Sequence, residues 1–142
     1  MYYVYLITNT VNGKKYVGQT KQLRERIRQH VGYVTGGCYH IKGMSSDFRE
    51  CGVENMDIKI LGVCDNRKDA LIEEALMIFK YDSHINGYNT QLSKSYLGEW
   101  KRCNKSKKDV WVDTISKIEM SRKSPVSVKI SFNENNKLNI SY

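Results

Sequence analysis

Six β-forming residues in a row, Tyr2-Tyr3-Val4-Tyr5-Leu6-Ile7, run into the turn chemistry of Asn9-Thr10-Val11-Asn12-Gly13 and then into a second short run, Lys15-Tyr16-Val17. That spacing predicts an antiparallel hairpin at the start of the chain. Alternation along the first strand puts Tyr3, Tyr5 and Ile7 on one face and Tyr2, Val4 and Leu6 on the other. Gly18 is expected to end the second strand, and Thr20 to cap the helix that follows.

From Lys21 to about Val34 the apolar residues Leu23, Ile27, Val31 and Val34 recur at helical spacing. Arg24, Arg26, Arg28 and His30 form a basic flank, with Arg26 and His30 four residues apart and therefore neighbours. Gly36-Gly37 breaks the pattern, and Cys38 to His40 reads as a loop. Met44 to Cys51 reads as a short helix stopped by Gly52, and Met56 to Val63 as an alternating third strand. Asp65-Asn66 opens a helix over Arg67 to Lys80, with Ala70, Leu71, Ala75, Leu76, Ile78 and Phe79 on its apolar side. Glu74 points to that side, where a bare carboxylate is costly unless it meets a cation or a hydrogen-bond donor. Ile85-Asn86-Gly87-Tyr88-Asn89 reads as a turn that delivers a final edge segment.

After Leu92 the character changes. Of 142 residues, those up to 92 hold 12 basic and 10 acidic side chains (+2), whereas the remainder hold 11 and 5 (+6), so most of the excess charge lies in the last third. A net charge of +8 favours a polyanionic partner, because clustered Lys and Arg release counterions from phosphates. Lys101, Arg102, Lys105, Lys107 and Lys108 are candidates for nonspecific DNA-backbone contact, with a solvated surface as the plainer alternative. Val110 to Met120 holds enough apolar residues for a helix or strand. Beyond Pro125, Val126 to Phe132 and Leu138 to Tyr142 alternate around an Asn-rich turn, which predicts a C-terminal β-hairpin suited to DNA contact or dimerisation. The four cysteines, Cys38, Cys51, Cys64 and Cys103, contain no Cys-x-x-Cys pair, which argues against structural zinc and for free thiols. Without a signal-like or spanning apolar run, a cytoplasmic or otherwise intracellular protein with no membrane partner is expected.

Each candidate residue has a bland reading alone: tyrosines on strands pack, arginines on helices are solvated, and Asn after Gly-Tyr turns the chain. Their order is more telling. Tyr3-Val4-Tyr5, then Tyr16-Val17-Gly18 after a ten-residue stretch from Leu6 to Lys15, then Arg26 and His30 on one helix, Glu74 on a later one, and Asn86-Gly87-Tyr88-Asn89 resemble the GIY-YIG nuclease family. The resemblance covers Tyr2 to about Leu92. Tyr3 stands where the first motif has glycine, and valine stands for isoleucine in both motifs.

The resemblance implies an α+β fold, a small three-stranded antiparallel sheet flanked by helices, with a nuclease domain over residues 1–92 and a basic extension over 93–142. It implies a divalent-metal-dependent endonuclease acting on double-stranded DNA, of a mobile element or phage, with Mg²⁺ or Mn²⁺ as cofactor. Glu74 would hold the metal, since Mg²⁺ prefers oxygen ligands and keeps several waters. Arg26 would brace the scissile phosphate through its fork of donors. Tyr5 would take a proton from the attacking water if Arg26 or Lys15 lowered its pKa, Tyr16 would bond the water or phosphate, and His30 would orient Tyr5 or relay its proton. Asn89 would fix the final loop, His40 is a further loop candidate, and Arg24 and Arg28 are candidate DNA contacts. A restriction endonuclease of the same family and a catalytically silent DNA-binding module are the competing readings. The latter is disfavoured by the presence of both Glu74 and Arg26. One active site cuts one strand, so a double-strand break calls for a homodimer or higher homo-oligomer, sequential nicks or reorientation.

Overall fold

A computed structural model of the protein describes residues 1–36, 42–89, 125–135 and 137–141. The expected hairpin is present as β1 (Tyr2–Asn9) and β2 (Lys15–Thr20), antiparallel, with Tyr5 opposite Gly18 and Leu6 opposite Val17. Its turn is closed by the Asn9 N–H to the Lys14 carbonyl at 2.9 Å and the Gly13 N–H to the Asn9 carbonyl at 2.8 Å. Gly13 takes φ +74°, a conformation that a side chain disfavours. β2 does not stop at Gly18 but continues to Thr20.

The Thr20 hydroxyl accepts the Gln22 N–H at 3.1 Å, and α1 (Leu23–Gly36) begins just beyond. After α2 (Lys42–Cys51) a 3₁₀ turn at Val53–Asn55, which the sequence reading did not anticipate, leads into β3 (Met56–Cys64). The Asn66 side chain accepts the Asp69 N–H at 2.9 Å and so caps α3 (Arg67–Tyr81), while Asp82 ends it in the left-handed conformation at φ 53°. The predicted C-terminal hairpin is formed by β4 (Val126–Phe132) and β5 (Leu138–Ser141). Val110 to Met120 lies outside the described residues.

The sheet has five strands, not three, in the order β2-β1-β3-β4-β5, all neighbours antiparallel. The added pair is the C-terminal hairpin, which docks on β3 through Ile58–Val128 and Ile60–Val126. β3 would otherwise offer a row of unpaired backbone groups, and β4 also has a residue to bury there, Val128.

Two cores cover the sheet. Tyr5 and Ile7 of β1 pack with Leu23, Ile27, Val31 and Val34 of α1, Met44 and Phe48 of α2, and Val128 and Ile140 of the hairpin. On the opposite face Val4, Leu6 and Val17 meet Ala70, Met77 and Ile78 of α3. The faces predicted for β1 therefore hold. The alternation expected for β3 does not: opposite Val4 and Tyr5 its partners skip from Gly62 to Ile60, a bulge that places Leu61 and Cys64 in the same core despite their odd spacing. The bulge breaks the two-residue period where β1 carries Tyr5. On α3 the buried set is Ala70, Glu73, Ala75, Leu76, Met77 and Ile78, whereas Phe79 is 46% exposed.

If the hairpin belongs to this core, Ile140→Ala should cost about 2–3 kcal/mol of stability, towards the lower end for a buried isoleucine near an edge. Urea denaturation followed by far-ultraviolet circular dichroism should show one cooperative transition shifted to lower midpoint. An unshifted midpoint would mean that the hairpin does not contribute to the fold.

Candidate active site

Tyr5 sits mid-strand on β1 and is fully buried, its hydroxyl 2.8 Å from Nε2 of His30 on α1. Room for that phenol comes from Gly18 directly across the ladder, where an added Cβ would lie 2.5 Å from the Tyr5 hydroxyl. Gly18 is thus a slot inside β2 and not its terminus. Tyr16, two residues earlier and so on the same face, brings its ring centroid to 6.2 Å from Tyr5 and 5.4 Å from His30. His30, on a helix flank expected to be basic and solvated, is 1% exposed.

Arg26 lies one turn before His30. Its guanidinium interacts with the hydroxyls of both tyrosines and donates to the Gln29 side-chain oxygen at 3.1 Å. Burial disfavours its charge, but the two tyrosines outweigh that and its pKa lies above the ordinary arginine value. Across from Arg26, Glu74 of α3 accepts a hydrogen bond from the backbone of Gln19 on the edge strand β2. Burial lifts the Glu74 carboxyl from an ordinary 4.5 to about 7, although the Gln19 bond and the Arg26 charge both pull the other way. Four elements thereby converge: β1, β2, α1 and α3.

The tyrosine chemistry differs from expectation. Burial raises the pKa of Tyr5 well above its ordinary value, the neighbouring Tyr16 adds to the effect, and Arg26 only partly offsets it. Burial likewise raises Tyr16 against the pull of Arg26. Both phenols therefore keep their protons at neutral pH, and Tyr5 is fully buried. Lys15 does not supply the charge imagined for it, since its ammonium turns back to the Gly13 carbonyl at 3.1 Å.

Asn89 is a brace. Its side-chain oxygen accepts the Val17 N–H at 2.8 Å and its amide donates to the Val17 carbonyl at 2.8 Å, so it stands in for a neighbouring strand along β2. Ser83, which the sequence reading missed, is fully buried and donates to the same Asn89 oxygen at 2.7 Å, fixing the amide's orientation. Tyr88 holds the rest of the loop, through its N–H to the Lys15 carbonyl at 2.8 Å and its hydroxyl to Asp47 at 2.7 Å. Asn86-Gly87-Tyr88-Asn89 after α3 carries turn signals, so nothing in it announced an edge brace. Glu73, also missed, faces the α3 core, lies against Gly62 and accepts the Cys64 thiol proton at 2.9 Å; burial, with Glu73 adding to it, pushes that thiol up to about 12.

Arg28 is exposed and pairs with Glu25 at 3.8 Å, and Arg24 is exposed on the same helix. His40, Lys101, Arg102, Lys105, Lys107 and Lys108 lie outside the described residues. Among the described residues no group of three or more His, Cys, Asp or Glu could cage a metal, so Glu74 would offer a single carboxylate. That suits Mg²⁺, which often takes one or two protein carboxylates and completes its shell with water and substrate phosphate. Among those residues no helix is long and apolar enough to cross a membrane.

Residues 1–89 match the family model described as the GIY-YIG catalytic domain. Over 87 residues the chain is 34% identical to intron-associated endonuclease 1 of Enterobacteria phage T4, a stretch covering 61% of this chain and 35% of the phage protein. The chain thus corresponds to roughly a third of that relative's length. Among solved structures, a mutant of the catalytic domain of intron endonuclease I-TevI matches with TM-score 0.60 at 27% identity, covering 66% of this chain and 98% of that one. Another structure, of the catalytic domain of homing endonuclease I-TevI, matches with TM-score 0.58 at 27% identity, covering 64% and 99%.

A raised carboxylate pKa has a stability signature. Between pH 4.5 and about 7 the folded protein holds a Glu74 proton that the unfolded chain has lost, so this group's contribution to stability falls as pH rises through that window. Glu74→Gln keeps an oxygen for the Gln19 N–H but carries no charge. In chelator, it should match the parent at pH 5 and gain on the order of 2 kcal/mol over it at pH 8. Thermal melts at both pH values check this; a gain of equal size at both would detach the effect from ionisation.

Proposed function

The chain belongs to the GIY-YIG family, and from that membership we propose that it is a divalent-metal-dependent DNA endonuclease of the mobile-element or phage type, cutting double-stranded DNA by phosphodiester hydrolysis. The observation that carries the reading is the convergence of Arg26, Tyr16 and Glu74 beside a sealed Tyr5–His30 pair. A silent DNA-binding module would have no need to keep a carboxylate at the cost of desolvation. The phage relative's name favours the mobile-element branch over a restriction enzyme.

Hydrolysis of a phosphodiester needs a placed water, neutralisation of the oxygens on phosphorus and help for the leaving 3′ oxygen. Arg26 meets the second need: its guanidinium stays charged, and its side chain is held by both tyrosines and Gln29, so little ordering remains when a phosphate arrives. Tyr16 is partly exposed where Tyr5 is not, and as a protonated phenol it donates a hydrogen bond to the water or to a phosphate oxygen. Tyr5 is a positioning residue. Holding its proton, it can donate to His30 Nε2 and so locks α1 to the sheet beneath Arg26. Glu74 would hold a divalent cation, which when bound supplies the positive charge for the leaving oxygen that these side chains lack. With one carboxylate on offer, metal affinity depends on the DNA phosphate. Asn89 and Ser83 keep the Tyr16–Gly18 segment of β2 at fixed depth.

Supercoiled plasmid incubated with the protein should give nicked or linear product with Mg²⁺ and none with chelator. Glu74→Ala should bind DNA without cutting it, and Arg26→Ala should lose on the order of 10²-fold or more in turnover with a modest change in affinity. Mg²⁺-dependent cleavage retained by Glu74→Ala would remove that carboxylate from the mechanism.

A further inference from the structure

Beside the site lies an open cleft of about 330 Å³, lined by Tyr2 of β1, Gln19 and Thr20 of β2, Lys21 and Gln22 of the connection, Glu25, Arg26 and Gln29 of α1, and Arg67 at the start of α3. It shares Arg26 with the proposed phosphate contact and Gln19 with the backbone bond to Glu74, so it is continuous with the reacting centre. We propose that this cleft holds the phosphate next to the scissile one on the same DNA strand, with Lys21 and Arg67 as its two cationic contacts. The inference rests on the endonuclease reading and adds to it the path by which the strand leaves the site.

Three observations converge on an anionic occupant. Of the charged side chains lining the cleft, three are cations and one is Glu25, which is paired with Arg28. The remaining polar walls are amides and a hydroxyl, from Gln19, Gln22, Gln29 and Thr20, which can donate to phosphate oxygens but carry no charge to repel them. Finally, Arg67 occupies the first position of α3, where the helix's own field disfavours a cation. Helix stability does not ask for it there. The Lys21 ammonium lies 5.9 Å from the centroid of the Tyr2 ring, which presents it at the cleft wall and limits its freedom.

A bound strand that engages Arg26 must continue in two directions, and this basic cleft adjoins it. Contacts there are to backbone, so they anchor the strand without reading its sequence. Each such contact releases about one counterion, which gives a signature independent of catalytic rate: the slope of log affinity against log salt falls by roughly 0.9 per contact removed.

The test uses the full chain with Lys21→Ala, Arg67→Ala and the double variant. Lys59→Ala serves as a charge-matched control, since Lys59 is half-buried on β3 near Asp57 and does not line the cleft. Binding of a duplex is measured by fluorescence anisotropy across a salt series in chelator, and cleavage by single-turnover kinetics with Mg²⁺. Each cleft variant should weaken binding roughly three- to tenfold at ~0.1 M salt and reduce the slope by about one, with the double variant reducing it by about two. Lys59→Ala should leave the slope unchanged. The cleft proposal is overturned if the cleft variants keep the parental slope, or if they lose it no more than the control does. Melting temperatures within a few degrees of the parent show that each variant is folded; for one that is not, Lys21→Gln or Arg67→Gln replaces it and the same slope decides. Failure of the parent to cut any DNA would sink the endonuclease reading instead, and the salt slopes in chelator would still decide the cleft.

Discussion

The hydrogen bond between the Tyr5 hydroxyl and His30 Nε2, buried beneath Gly18, is the join on which the site depends. It ties the central part of the sheet to α1 through two polar groups that have no access to water, so the bond is expensive to leave unmade. Its position fixes the helix's rotation. Once His30 points inward, Arg26 one turn earlier must sit at the rim beside it, and Tyr16 must stack at the opening. An arginine on an exposed helix is a loose tether; one held between two phenols and a glutamine is a placed charge.

Glu74 shows the opposite use of burial. Its carboxyl is destabilised as a charge, and the fold tolerates the cost because α3 presses against β2 at that level. A protein selected for stability alone would replace it; under the proposed function it is kept because the site has to attract a cation as DNA arrives. Stability and chemistry pull on one side chain in contrary directions, with the tyrosine–histidine pair supplying rigidity nearby.

Much of this was legible in the residues. The hairpin, the three helices, the two faces of β1 and the C-terminal hairpin follow from period and turn chemistry, and Glu74 stood out because it interrupts an apolar face. What the sequence could not convey was depth. Tyr5 and His30 have polar ends compatible with either a surface or a core, and only the packing of α1 over Gly18 decides that both are buried and that Tyr5 keeps its proton. The bulge in β3 was hidden because Ile60, Leu61 and Val63 all read as strand residues whichever way they point. The docking of β4 on β3 was hidden because long-range pairing leaves no local trace. The role of Ser83 was hidden for the same reason, as was the way Asn89, expected to fix the final loop, grips β2: their hydrogen bonds reach to each other and, from Asn89, 72 residues back along the chain.

The loop that follows α3 also determines how this sheet meets other chains. Along the outer side of β2 the Lys15 carbonyl is taken by Tyr88, both backbone groups of Val17 by Asn89, and the Gln19 backbone by Glu74. Every second residue of the edge is engaged, and a strand from another molecule finds no ladder to extend there. The opposite border, β5, has no such cover among the described residues. Among the described residues the border open to a further strand is therefore the one at the far end of the sheet from Tyr16.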